Sequence, residues 1–291
     1  MRVPDGARAT RYTRAMPLDV DAPVIANHRL SADYNVVAFD APQIAAAARP
    51  GQFVMIKTTG SLDPLLRRPF SIFEVLRDDS GRPAGISIFN KRVGVGTALL
   101  ARIEPGTRLQ VLGPLGRPFE AIDPPAEAWM VAGGVGLAPF VTLAEALAAR
   151  GTPTTLFYGA RRGEELYRIE LFDALGVRSV LATEDGSRGV RGRITVPLEA
   201  ALRERPLGAP VKLFVCGPTP MMRACAELAL IHGRACDVSL EQVMGCGLGG
   251  CYSCVVAARH ADGAPPHHTR TCIDGPVFDA QRVVWEAMTG H

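Results

Sequence analysis

The chain has 291 residues, 47% of them hydrophobic, enough for about two domains with real cores. A net charge of +3 and a pI near 8.5 are mild, and no basic block interleaved with aromatics is present, which argues against a nucleic-acid partner. No run of about 18 apolar residues exists, so no membrane span is expected. The opening residues are charged and lack an apolar core, so no signal peptide is expected either.

Residues 1–21, rich in Ala, Arg and Pro, read as a loose extension. Residues 22–122 carry short alternating apolar runs at 35–39, 52–56, 85–89 and 108–112, separated by Gly, Pro and Asp. Strand-sized runs between turn residues predict an antiparallel barrel, interrupted by one helix over 96–103. The texture changes at Asp123-Pro-Pro. An apolar run from Trp129 enters the turn Gly133-Gly-Val-Gly-Leu-Ala-Pro139, and a helical period continues to Arg150. Strand-like runs at 154–158, 179–182 and 211–215 alternate with helical stretches. That alternation predicts a doubly wound parallel sheet with helices on both faces over residues 123–236. Residues 237–291 read as a third, loop-rich unit.

Six of the seven cysteines lie after residue 220, which points to metal ligation rather than a disulfide framework and favours a reducing compartment. Cys246, Cys251, Cys254 and Cys272 fall in the order C-x4-C-x2-C…C, the opening spacing with which plant-type ferredoxins hold a [2Fe–2S] cluster. Gly245, Gly247, Gly249 and Gly250 let the loop fold tightly around sulfur. A four-cysteine zinc site, which usually has two separated C-x2-C pairs, and a set of ordinary buried cysteines are the alternatives.

Further candidates lie at strand ends. Arg68-Pro69-Phe70-Ser71 suits a phosphate and a flavin edge, or is a strand edge with a solvated arginine. Gly94-Val-Gly96-Thr97 opens the barrel helix and suits a pyrophosphate, or is a plain N-cap by Thr97. Gly133, Gly134 and Gly136 lie between a parallel strand and its helix, where nucleotides sit, although the pattern is not GxGxxG. Cys216-Gly217-Pro218 follows a strand in the same way. It makes Cys216 the candidate catalytic residue beside a nicotinamide, or a small buried hydrophobe. The loop 183–187 suits ribose or phosphate contacts. Arg161 and Arg162 suit a nucleotide phosphate, which leaves NAD against NADP open. His267 and His268 carry no specific signal.

The order of these motifs over residues 22–291 resembles the ferredoxin-NADP reductase superfamily. Within it the chain is similar to the electron-transfer subunits of type B dihydroorotate dehydrogenases. Glu241-Gln-Val-Met-Gly-Cys246 through Cys254 carries the likeness most specifically, with Thr271-Cys-Ile-Asp-Gly-Pro-Val-Phe-Asp279 and Leu112-Gly-Pro-Leu-Gly116. The resemblance implies one FAD, one [2Fe–2S] cluster and NAD. It implies that Arg68 to Ser71 contact the flavin, that Phe89, Asn90 and Lys91 line it, and that Gly96 and Thr97 hold its pyrophosphate. It also implies that the four cysteines ligate iron. Asn90 departs from the pattern, since relatives often carry a stacking aromatic there.

The implied partner is an FMN-containing subunit that oxidises dihydroorotate in cytoplasmic pyrimidine biosynthesis, in a heterotetramer of two of each. The rival assignments are the flavin subunit of a sulfide dehydrogenase or of an NADH-dependent ferredoxin:NADP oxidoreductase, and a non-catalytic zinc-binding module.

Overall fold

The computed structural model describes residues 16–206, 208–260 and 263–288, so most of the expected extension lies outside the described residues. The barrel half comprises β1 (Leu18–Arg29), β2 (Tyr34–Asp40), α1 (Pro42–Ala47), β3 (Phe53–Ile56), β4 (Arg68–Arg77), β5 (Pro83–Lys91), α2 (Val95–Ala101) and β6 (Arg108–Leu115). Then follow β7 (Glu127–Gly133), α3 (Phe140–Ala148), β8 (Thr154–Ala160), α4 (Ile169–Asp173), β9 (Arg178–Thr183) and β10 (Val190–Arg191). The chain continues through α5 (Thr195–Glu204), β11 (Val211–Cys216), α6 (Thr219–Ile231) and β12 (Ala235–Ser239). It ends with β13 (Val255–Ala258), β14 (His267–Arg270), α7 (Thr271–Asp274) and β15 (Val277–Asp279).

The first six strands close into an antiparallel barrel in the order β1-β2-β5-β4-β3-β6, with β6 pairing back onto β1. Alternation sets its wall. In β1, Leu18, Val20, Ala22 and Val24 join the barrel core, while Asp19 and Asp21 face outward to Arg67 and Arg108. Leu18 to Asp21 pair with Gly113 to Gln110, so the barrel begins at Leu18 rather than at residue 22. A polar chain plugs the barrel beside α2. Asn90 Nδ2 donates to Asn35 Oδ1 (2.8 Å) and to the Thr97 carbonyl (3.0 Å), and Asn35 Nδ2 donates to Asn27 Oδ1 (2.7 Å).

The second sheet runs β10-β9-β8-β7-β11-β12-β15, parallel except for the antiparallel edge strand β15. It is buried on both faces. Met130 faces the core under α3 and α4, and its neighbour Trp129 faces the core under α5 and α6. From β7 the chain winds outward to β8 and β9, then returns and winds the other way through β11 and β12. The sheet therefore reverses between β7 and β11.

The cysteine-bearing unit is tied to both halves. β12 and β15 belong to the nucleotide-type sheet, so a boundary at 236/237 cuts through β12. Met244, Cys254, Cys272 and Ile273 pack against Phe53, Met55, Leu112 and Leu115 of the barrel wall. Burying each such Met or Leu side chain contributes about 1.5–3 kcal/mol, which fixes the loop on the barrel.

Candidate functional site

Two glycine turns meet at the point where the sheet reverses. β7 ends in Gly133 and β11 ends in Cys216, on adjacent parallel strands, so both turns leave the same edge. A Cβ on Gly136 would overlap the Cys216 carbonyl oxygen, and one on Gly133 would stand 2.6 Å from Met221 Sδ. Only glycine lets these turns touch. In open parallel sheets a crevice at such a reversal takes the ligand.

That crevice is a cleft of about 550 Å³. Gly133, Gly134, Gly217 and Pro218 line it from the sheet, Lys91 and Tyr34 from the barrel, and Glu241 from the segment leading into the cysteine loop. All three parts of the chain thus contribute to one wall. Lys91 Nζ lies 5.3 Å from the Tyr34 ring centre. Glu241 opens onto the cleft, yet the protein packed around its carboxyl strips bulk hydration. Burial raises that carboxyl above the usual range, against the opposing charge of Lys91.

Farther along the cleft, Arg161, Arg193, Glu184 and Thr195 also line it. Arg162 points elsewhere and pairs with Glu164 (3.2 Å) and Glu165 (3.5 Å). Of the two arginines expected to meet a phosphate, only Arg161 reaches the cleft. In the loop 183–187, Asp185 accepts bonds from the amide and hydroxyl of Ser187, and that hydroxyl accepts from the Gly163 amide (2.7 Å), so the loop is held closed.

Cys216 itself does not line the cleft. Its thiol is buried, and desolvation with the nearby Glu241 charge pushes its pKa well up. A thiol held protonated is neither base nor nucleophile, so the geometry corrects the catalytic assignment. Cys216 contributes its backbone, and its side chain fills the core. Asn90 is likewise corrected. It is fully buried in the barrel plug and anchors the carbonyl of Thr97 instead of lining a ring. Phe89 is buried too, packed with Tyr34, Phe73 and Tyr167.

A second cradle lies at the barrel's end. Arg68 opens β4, opposite Ile56 of β3, and its side chain lies beside Gly96 in the first turn of α2. Phe70 packs against the barrel core, so strand alternation turns Pro69 and Ser71 to the other face. Arg67 is held by Asp19 through two bonds (2.9 and 2.8 Å), whereas Arg68 has no carboxylate partner among the described residues. The Thr97 hydroxyl accepts from the amides of Val93 (2.8 Å) and Gly94 (3.0 Å), so it caps its own turn. An unpaired guanidinium beside a backbone lacking Cβ fits a phosphoryl group.

The four loop cysteines converge as two pairs. Cys246 accepts from the Leu248 amide (3.3 Å) and stands near Cys251, and the Cys272 amide donates to Cys254 Sγ (3.5 Å). Among the described residues, no three His, Cys, Asp or Glu side chains close on a single ion position. Four thiols in the C-x4-C-x2-C…C order suit a two-iron cluster, in which each iron takes two protein ligands, whereas structural zinc usually takes two separated C-x2-C pairs. Cys254 and Cys272 are buried, and Cys251 is exposed. The Ser253 hydroxyl and amide hold the Cys251 thiol down at about 6, while burial and the neighbouring Cys254 push Cys272 up to about 12. Two of the four expected glycines need their special backbone. Gly247 (φ 70°) and Gly249 (φ 81°) are left-handed and abut Met55 and Ile273, whereas Gly250 has open space around it. Arg270 braces the loop, donating to the Gly249 carbonyl (3.2 Å) and lying 5.5 Å from the Tyr252 ring centre. Outside the loop a hollow of about 590 Å³ is lined by Leu65, Leu66, Leu248, Cys246 and Cys251.

Tyr34, Glu241, Arg193 and Thr195 line the cleft without standing out in the sequence. Glu241 was within reach, since it opens the segment that carries the family likeness. Tyr34 opens β2, Arg193 lies in the loop after β10 and Thr195 opens α5, none with a local signature.

Comparison with known proteins agrees with this anatomy. Residues 241–284 match the family described as the iron-sulfur cluster binding domain of dihydroorotate dehydrogenase B, and residues 130–227 match the oxidoreductase NAD-binding domain. The chain is 38% identical over 267 residues to the electron transfer subunit of dihydroorotate dehydrogenase B (NAD(+)) from Desulforamulus reducens, covering 91% of this chain and 98% of that one. The corresponding subunit from Geobacillus kaustophilus is 40% identical over 238 residues, covering 81% and 87%. Among solved structures, an NADH-dependent reduced ferredoxin-NADP oxidoreductase superposes with a TM-score of 0.79 at 27% identity, covering 92% of this chain and 91% of that one. A ferredoxin reductase of carbazole 1,9a-dioxygenase superposes with a TM-score of 0.63 at 25% identity, covering 75% and 67%.

Proposed function

The chain belongs to the family of electron transfer subunits of NAD(+)-dependent dihydroorotate dehydrogenase B, and from that membership we propose how its parts divide the work. It carries electrons from a dihydroorotate-oxidising partner subunit to NAD+, using a [2Fe–2S] cluster and FAD. The observation that carries the reading is the shared wall of one cleft, built by Lys91 of the barrel, Gly217 of the sheet and Glu241 at the root of the cysteine loop.

Cys246, Cys251, Cys254 and Cys272 would hold the cluster. Arg68, Gly96 and the outward face of Pro69 and Ser71 would hold the flavin nucleotide. Gly133, Gly134, Gly217 and Pro218 would hold the nicotinamide nucleotide, with Arg161 and Arg193 toward its phosphates. When bound, the cluster carries single electrons and the flavin exchanges single electrons for a hydride. The protein's own part is position. The touching turns of Gly136 and Cys216 fix the floor, and Tyr34 and Lys91 close the barrel side. Glu241 places a carboxyl of raised pKa where it faces Lys91.

The partner is the FMN-containing catalytic subunit, in a complex of two of each, acting in the cytoplasm. Its seat is the hollow outside the cysteine loop. Cys251 is exposed there, and Leu65, Leu66 and Leu248 present apolar surface around it. No described helix is long and apolar enough to cross a membrane.

The test is to purify the chain with and without its partner. Alone it should reduce dyes with NADH and leave dihydroorotate untouched, and with the partner it should reduce NAD+ at the expense of dihydroorotate. Dihydroorotate turnover by the chain alone would overturn this division.

A further inference from the structure

One buried hydroxyl in the barrel has no partner. Thr58 follows β3, is 3% exposed, and its Oγ1 makes no hydrogen bond among the described residues. Buried hydroxyls are nearly always bonded, so an orphan marks a place where a partner belongs. A Cβ built on Gly96 would lie 3.4 Å from this oxygen and 3.2 Å from Arg68 Cγ. Thr58, Arg68 and the first turn of α2 therefore surround one point.

The donors around that point carry positive charge without a counter-charge. Arg68 Nη1 donates to the carbonyls of Leu66 (2.7 Å) and Arg67 (3.3 Å), which orients the guanidinium while leaving Nε and Nη2 unbonded among the described residues. The other hydroxyl nearby, on Thr97, is engaged in capping its own turn. Thr58 is a buried side-chain hydroxyl left to donate beside Gly96 and Arg68. Resting on the reading that this barrel holds a flavin nucleotide, we propose that the Thr58 hydroxyl donates a hydrogen bond to a phosphoryl oxygen of that nucleotide, across from Arg68. A valine here would fill the same volume and lose only the bond.

The experiment compares the full-length wild-type chain with Thr58→Val and Thr58→Ser, reading the dissociation constant for FAD and the visible absorption bands of the bound flavin. Thr58→Val is expected to weaken FAD roughly tenfold or more, the effect of losing a hydrogen bond to a charged group. Thr58→Ser is expected to stay close to wild type, and the flavin bands should coincide in all three, because the contact is to phosphate and not to the ring. Unchanged affinity in Thr58→Val overturns the inference, as does an equal loss in both variants or a band shift that tracks the loss. A wild-type chain that binds no flavin would overturn the flavin reading itself, whereas an indifferent Thr58→Val with flavin in place removes only this contact.

Discussion

Gly136 rests against the backbone of Cys216, closely enough that any side chain at position 136 would overlap the Cys216 carbonyl oxygen. The contact joins the turns after β7 and β11, which is where the parallel sheet reverses. It makes the floor of the cleft a backbone surface. Gly136→Ala should therefore cost about 1–3 kcal/mol, as overpacking of a tight interior does, and should weaken NADH binding. Thermal unfolding and NADH titration of the variant check both. Gly134, with open space around its Cβ position but φ of 55°, should show a milder loss on the same substitution.

The cysteines should differ sharply in reactivity once metal is removed. Cys251 is exposed with its thiol held at about 6, whereas burial pushes Cys225 to about 12 and Cys216 and Cys236 well up. The thiolate is the reactive form. Iodoacetamide at neutral pH, applied to folded protein stripped by a chelator, should label Cys251 first and Cys216, Cys225 and Cys236 last. Mass spectrometry of the peptides reads the order.

Glu241 should leave a mark on the pH dependence of stability. Its carboxyl is raised from 4.5 by burial, so the fold disfavours the charged form. Folded protein then binds this proton more tightly than unfolded chain, and stability falls as pH rises from about 4.5 through the raised value. Glu241→Gln removes that loss. The melting-temperature difference between variant and wild type should be small below 4.5 and should grow in the variant's favour toward neutral pH.

The hollow by the cysteine loop should govern assembly without touching the cleft. Leu65 and Leu66 are 67% and 53% exposed, and neither side chain lines the cleft. Leu65→Asp with Leu66→Asp should abolish co-purification with the dihydroorotate-oxidising subunit, since charge is disfavoured at an interface core. NADH-dependent dye reduction by the variant chain should stay at the wild-type rate. Lost dye reduction would place these leucines in the cleft's machinery instead.

The parts legible in the sequence are those whose signal is local. The cysteine spacing, the glycine turn after Trp129 and the strand runs in both sheets are each written within about ten residues. β1 is a different case. Leu18, Val20 and Ala22 alternate as a strand should, but Asp19 and Asp21 between them make the stretch look like a charged tail. The cations that complete them, Arg67 and Arg108, lie 48 and 87 residues away. Residues 237–239 read as the start of a separate unit because the sheet they complete is finished by Val277–Asp279, after the whole cysteine loop. The burial of Cys216 and Asn90 has a related reason. Strand position was visible, but which side of the strand end faces the cleft depends on Tyr34, Asn35 and Glu241, brought in from elsewhere.

The central claim is that iron, sulfide and flavin share this one chain. Anaerobic purification followed by metal, sulfide and flavin analysis with a visible spectrum tests it directly. The account predicts two irons, two acid-labile sulfides and one FAD per chain, with overlapping flavin and cluster absorption. A colourless protein carrying zinc in the cysteine loop, or one from which no flavin can be released, would contradict it.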